Sequence, residues 1–129
     1  MHPATVNSAQ RRAKRHEDDG RAEIALRVSV GQQPGLTGRW RRGLATLSPE
    51  HIDFAPIVGG LRILRRAPVQ IPVVSIDEKE PRKPGGKEVF RIGRECRIVI
   101  LVTPTGALEL AVPEPYKLLW VLRRLQPAE

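Results

Sequence analysis

The chain has 129 residues, which fits a single domain, and its 22 Lys and Arg residues against 14 Asp and Glu residues give a net charge of +8. This balance favours polyanionic partners: an anionic membrane surface, an acidic protein or nucleic acid. One cysteine excludes an internal disulfide, no apolar run reaches the roughly 18 residues of a transmembrane helix, and the N-terminus has no apolar signal-peptide region. The composition therefore predicts a cytoplasmic protein without a membrane span.

Residues 1–20 are polar and contain a basic run followed directly by an acidic one. They offer almost nothing to bury, so we expect a disordered, solvated tail, and residues 21–129 form the predicted folded domain. A second interpretation makes this tail a basic segment that touches a polyanion.

The folded part contains about seven segments with the pattern of β-strands, separated by turn signals roughly every ten residues. In residues 22–30, apolar and polar side chains alternate, which is typical of a half-buried strand. The other predicted strands are 39–47, 51–56, 69–80, 87–92, 96–103 and 107–112, with a short edge segment at 61–66. No helical crossovers separate them, so the predicted sheet is antiparallel.

The C-terminal segment has a different period. Pro115, Leu118, Leu119, Leu122 and Leu125 are spaced as one face of an amphipathic helix. A barrel capped by this helix would protect the edges of the sheet. The predicted fold is mainly β: a PH-like, antiparallel, partly open barrel of about seven strands capped by one C-terminal α-helix. This order of elements resembles the pleckstrin-homology (PH) superfold and its GRAM relatives.

Several short motifs in this order are similar to the bacterial family called domain of unknown function 2550, found in high-GC Gram-positive bacteria. The resemblance covers about residues 22–126 and rests above all on Trp40-x-x-Gly43 and on Leu-Glu-Leu-Ala at 108–111. The resemblance implies a single N-terminal membrane helix followed by a cytoplasmic PH-like domain, which is the usual arrangement in this family. In place of that helix, this sequence shows only the charged tail. The resemblance implies a fold and no catalytic site.

Residues capable of catalysis are present but lack the context that a reaction needs. Asp77, Glu78 and Glu80 lie in a charged segment rich in Pro and Gly, whereas acid–base catalysis needs carboxylates in a dry cleft. Cys96 starts an apolar strand, so we expect it to be buried as a small apolar side chain. A catalytic cysteine would need a neighbouring base, and His51 is the only histidine in the folded part of the sequence. We therefore expect no enzyme activity, no metal site and no cofactor.

Arginines are concentrated in two connections of the predicted barrel. In a PH-like barrel these connections meet at the same open end, and guanidinium groups bind phosphate through planar, bidentate contacts. The sequence therefore predicts an anion-binding "arginine rim", and the alternative is a solvated rim without a ligand. The arginine rim consists of Arg39, Arg41, Arg42, Arg62, Arg65 and Arg66. Trp40, within the first cluster, is expected either as a core anchor or as a side chain that dips into a membrane interface.

These observations favour a non-catalytic PH-like interaction module. Its expected partner is an anionic lipid surface or a membrane-associated protein, with peripheral attachment at the inner face of the membrane. The alternative is a nucleic-acid-binding protein that uses the basic surface. Aromatic residues make up only 4% of the chain, and the predicted strands lack the Phe/Tyr stacking pattern of RNA-binding sheets.

Overall fold

The structure, a computed structural model, describes residues 20–58, 61–62, 68–77 and 79–126. The predicted tail up to residue 19 therefore lies outside the described residues, as do Arg65 and Arg66. For Arg62 only the backbone is described.

Within these residues the protein is mainly β, as the sequence predicts. The strands are β1 (Arg21–Gly31), β2 (Arg41–Ser48), β3 (His51–Val58), β4 (Leu61–Arg62), β5 (Val69–Pro72), β6 (Ser75–Ile76), β7 (Arg97–Thr103) and β8 (Gly106–Val112). The helices are α1 (Glu88–Ile92) and α2 (Leu118–Leu125), and a 3-10 turn at Pro115–Lys117 leads into α2. None of the helices in this part of the chain has the length and hydropathy to cross a bilayer.

All strand pairs are antiparallel, and the sheet follows the order β4-β3-β2-β1-β8-β7-β6. Strand β5 pairs with the same edge of β3 as β4, so the sheet is seven positions wide. Residues between β5 and β6 join its two edges: the Val73 N–H donates to the Glu50 carbonyl at 2.9 Å, and the Val74 N–H donates to the Val102 carbonyl at 2.7 Å. The sheet thus curls into a partly open barrel with α2 at one end.

The barrel interior holds the main hydrophobic core. Its fully buried side chains include Ile24, Leu26, Leu47, Ile52, Phe54, Ile71, Leu101, Leu108 and Leu110. Val121 and Leu125 of α2 close one end of this core, and the Glu50 N–H donates to the Leu125 carbonyl at 3.1 Å. At the other end, Leu36 of the β1–β2 loop is buried against the same core.

The predicted strand at residues 87–92 is wrong, because this segment is the helix α1. The reason is the lack of a free sheet edge. On β7, β6 and an isolated bridge between Arg82 and Ile98 already occupy the edge that this segment would need. The backbone of residues 85–93 therefore satisfies itself locally, with the Gly93 N–H donating to the Val89 carbonyl at 3.0 Å.

Two smaller expectations also need correction. The long predicted strand at 69–80 is split into β5 and β6, because the chain changes partner at the corner: the Val73 N–H still binds beside β3, at Glu50, whereas the Val74 N–H binds Val102 of β7. In α2, Leu119 is 58% exposed, and Val121 is buried in its place. Pro115 lies in the 3-10 turn, so the 3.6-residue period starts at Leu118 and not at Pro115.

Gly43→Ala should lower the free energy of unfolding by about 1–3 kcal/mol through overpacking. A Cβ atom on Gly43 would lie 2.5 Å from the Ala55 carbonyl oxygen and 2.7 Å from the Phe54 ring. Denaturant titration measures the change, and Gly38→Ala is the control, since the nearest atom to its added Cβ is 3.9 Å away. Equal stability of both variants would contradict this close contact between β2 and β3.

Candidate anion-binding surface

A cluster of charged side chains lies on the outer face of the barrel. Glu109 of β8 is only 8% exposed, and it sits directly opposite Arg27 in the ladder with β1. Arg27 Nε donates to Glu109 Oε1 at 2.8 Å, and Arg82 Nη2 donates to Glu109 Oε2 at 2.6 Å. Both oxygens of this nearly buried carboxylate are therefore paired with guanidinium groups.

Glu88 of α1 completes this cluster. It accepts two hydrogen bonds from Arg82, at 2.7 and 2.9 Å, one from the Gly85 N–H at 3.1 Å and one from Trp40 Nε1 at 3.0 Å. Hydrogen bonding from Arg82 is the largest influence on Glu88 and, against the opposing effect of burial, lowers the pKa of this carboxyl to about 2. The pKa of Arg82 is raised in turn, chiefly by Glu88. We call Arg27, Arg82, Glu88 and Glu109 the ion-pair network.

A second, smaller apolar core lies beside the ion-pair network. It consists of Ala25, Ile92, Cys96, Ile98 and Ala111, with Trp40 packed against it. The Arg27 guanidinium lies 4.7 Å from the centroid of the Trp40 ring, within cation–π range. The small core and the ion-pair network together hold α1 on the outside of the sheet.

The opposite face of α1 is solvated and basic. Phe90 is 89% exposed, and the side chains of Lys83, Lys87, Arg91 and Arg94 around it are exposed as well. A Cβ atom added to Gly86 or Gly93, at either end of α1, would meet nothing within 4 Å. We call Lys83, Lys87, Phe90, Arg91 and Arg94 the α1 ridge. The α1 ridge was not predicted from the sequence, although an aromatic residue among basic ones between glycines was a readable signal.

The first half of the predicted arginine rim lies at the start of β2. Arg39, Arg41 and Arg42 are all exposed. Because Gly43 is buried on the core side of β2, strand alternation places Arg41 on the core side, at the barrel end, and Arg42 on the outer face. Arg42 Nη2 lies 3.2 Å from Glu23 Oε1 on β1.

The second half of the arginine rim is described only in its backbone. Arg62 of β4 pairs with Ile57 of β3, and the neighbouring residue, Pro56, pairs with Gly43 of β2. The backbone thus brings Arg62 and the start of β2 to the same end of β3. The side chains of Arg62, Arg65 and Arg66 lie outside the described part of the chain, so their place in the arginine rim stays a prediction.

Trp40 is neither an anchor in the barrel core nor a fully exposed side chain, the two positions that the sequence suggested. It is half-buried, but against the small outer core and not inside the barrel, and its Nε1–H is bound to Glu88. Both its indole donor and one ring face are therefore engaged by the protein.

Cys96 and His51, the two reactive side chains of the predicted domain, each contact a different partner. Cys96 is buried, its thiol donates to the Ile92 carbonyl, and desolvation raises its pKa. A raised pKa disfavours the thiolate that a nucleophile needs. His51 Nε2 instead lies 2.9 Å from Asp53 Oδ1.

A groove of about 570 Å³ lies between α2 and residues 73–77 and 79–81. Its apolar wall includes Val99, Leu122 and Leu125, and its polar lining includes Glu50, Asp77, Lys79 and Glu80. Three carboxylates against one lysine do not favour an anion. Asp77 and Glu80, grouped in the sequence with Glu78, line this groove, and Glu78 lies outside the described residues.

The chain matches no protein-family model, no curated protein and no solved structure.

Proposed function

We propose that the protein is a non-catalytic, PH-like interaction module that binds an anionic membrane surface through the arginine rim. The observation that carries the proposal is the arrangement at one end of β3. Arg39, Arg41 and Arg42 are exposed at the start of β2. The next residue of β2, Gly43, pairs with Pro56 of β3, and the backbone of Arg62 pairs with Ile57, the residue that follows Pro56. Among the described residues, Glu23 is the one carboxylate that pairs with these arginines.

A membrane fits this arrangement better than a compact ligand does. The exposed guanidinium groups can each contact a lipid phosphate without a shaped pocket, and each is worth up to about 1 kcal/mol near an anionic bilayer. Membership of domain of unknown function 2550 stays a prediction, and a membrane-associated role is what that resemblance implies. A membrane-associated protein with an acidic surface would use the same charges.

Vesicle sedimentation tests the proposal. The protein should sediment with phosphatidylglycerol vesicles and stay in solution with phosphatidylcholine vesicles. Binding should weaken steeply between low and physiological salt, where charges are screened over about 8 Å. A variant with Arg39, Arg41 and Arg42 changed to Ser should lose most of this binding and keep its thermal melt.

The matched control changes three exposed basic residues elsewhere on the described surface, Arg21, Lys79 and Arg123, to Ser. It removes the same net charge, so equal losses in both variants would show non-specific attraction and contradict a localised rim. Failure of the wild type to bind phosphatidylglycerol at low salt would overturn the lipid proposal. Salt-dependent binding to DNA in its place would favour the nucleic-acid alternative.

A further inference from the structure

A nearly fully exposed phenylalanine lies at the centre of a basic patch on this protein. Phe90 projects from α1 with 89% of its surface in water. Lys87 and Arg91, three residues before it and one after, share the outward side of the helix with it, because Glu88 and Ile92 occupy the inward side. Phe90 is the most exposed large apolar side chain among the described residues, and the basic residues around it distinguish it from an isolated apolar residue on a surface.

The α1 ridge is presented rigidly and not on a loose loop. Ile92 packs onto Ala25, Ile98 and Ala111, and the Glu88 carboxylate is bound by Arg82, Trp40 and the Gly85 N–H. Since these contacts already order the helix, binding through Phe90 needs little further ordering of the backbone.

The charges of the α1 ridge select its partner. Lys83, Lys87, Arg91 and Arg94 form no ion pair with any carboxylate in the described part of the chain, whereas Arg27 and Arg82 beneath them are neutralised by Glu88 and Glu109. An aromatic side chain surrounded by unpaired cations matches the interface of an anionic bilayer. There the ring enters the headgroup region, and the Lys and Arg stems extend toward the phosphates.

The position of α1 also fits the arginine rim. Trp40 Nε1 donates to Glu88 on α1, and Arg39 and Arg41 are the immediate chain neighbours of Trp40. A Cβ atom added to the glycine at either end of α1 would meet nothing within 4 Å, and Phe90 between them is 89% exposed, so this side of α1 borders solvent. The two groups of basic residues are thus neighbours through the Trp40–Glu88 contact.

We propose that the α1 ridge is a membrane-inserting element, in which Phe90 enters the interface of an anionic bilayer while Lys83, Lys87, Arg91 and Arg94 bind lipid phosphates. This inference rests on the proposed function, and it adds an apolar contribution to an otherwise electrostatic interaction. The transfer of a phenylalanine side chain from water into the interface is worth about a tenfold change in affinity.

The test compares Phe90→Ala with Leu119→Ala on phosphatidylglycerol vesicles. Leu119 is an exposed apolar residue of α2, so its variant removes a similar surface from a different place. Phe90→Ala should weaken vesicle binding about tenfold, Leu119→Ala should leave it unchanged, and Phe90→Trp should preserve it. All three variants should melt within about 3 °C of the wild type, because exposed positions contribute little to stability.

Salt separates this inference from the proposed function. The loss caused by Phe90→Ala should be the same factor at low and physiological salt, since apolar insertion is not screened, whereas the loss caused by the arginine variant should shrink with salt. Wild-type binding that is reduced by the arginine variant but unaffected by Phe90→Ala would overturn the insertion alone. A wild type that binds no phosphatidylglycerol at all would overturn both.

Discussion

Leu125→Ala should lower the free energy of unfolding by about 2–5 kcal/mol, the usual cost of removing a buried leucine. Leu125 is 2% exposed and joins α2 to the barrel core, and its carbonyl accepts a hydrogen bond from the Glu50 N–H at the β2–β3 turn. Removing its side chain leaves a cavity at the point where the helix closes the barrel. Chemical denaturation followed by circular dichroism gives this quantity.

Two other leucines of α2 provide the comparison. Leu119 is exposed, so Leu119→Ala should change stability by less than about 0.5 kcal/mol. Leu122 is half-buried on the wall of the groove, so the loss of stability caused by Leu122→Ala should lie between those of Leu119→Ala and Leu125→Ala. If Leu125→Ala were as mild as Leu119→Ala, α2 would not close the barrel through this side chain.

Acid should destabilise the protein through Glu88. The pKa of Glu88 is about 2 in the folded protein against an ordinary value of 4.5, so the folded state favours the charged carboxylate. Its contribution to stability is complete above about pH 4.5 and is lost as the pH falls toward 2. At 1.36 kcal/mol for each pKa unit, the full contribution is about 3 kcal/mol, and the partial exposure of Arg82 reduces it to about 2 kcal/mol.

Glu88→Gln provides the direct test of this pH dependence. Its stability should lie about 2 kcal/mol below that of the wild type at pH 7, and the two should converge near pH 2, where the wild-type carboxyl also becomes neutral. Glu95→Gln is the control, because Glu95 is exposed and its side chain forms no ion pair within the described residues. A constant gap between Glu88→Gln and the wild type from pH 7 to pH 2 would show that charge at Glu88 is not what stabilises α1.

The barrel was predictable because its evidence is local. In β1, the alternation around Ile24 and Leu26 predicts a core on one side, and both side chains are fully buried. On the other side, Ala25 lies in the small outer core and not in solvent. The continuous apolar run in β7 predicts cover on both faces, and the outer face is covered at Ile98 but not at Val102, which is 37% exposed. The sequence could not say that the inner face meets Leu110 and that Ile98 on the outer face meets Ile92.

The candidate site was predictable only in part. The arginines at the start of β2 are visible in the sequence and are exposed in the structure, and the convergence with Arg62 follows from strand order. The α1 ridge was not found, because residues 87–92 have a composition that suits a strand as well as a helix. Their solvent-facing side became recognisable only once Glu88 and Ile92 were known to point inward.

The sequence by itself determined the antiparallel barrel, its turns and the capping helix, because side-chain periodicity and Gly/Pro turn chemistry act between near neighbours in the chain. Only the tertiary structure decided that residues 87–92 form a helix, since the edge of β7 they would have joined is occupied by β6 and Arg82. It also decided the pairing of Arg27 with Glu109, which are 82 residues apart, and of Trp40 with Glu88, which are 48 residues apart. No local pattern encodes such pairs, because their free energy of interaction exists only after the sheet has brought both partners to its outer face.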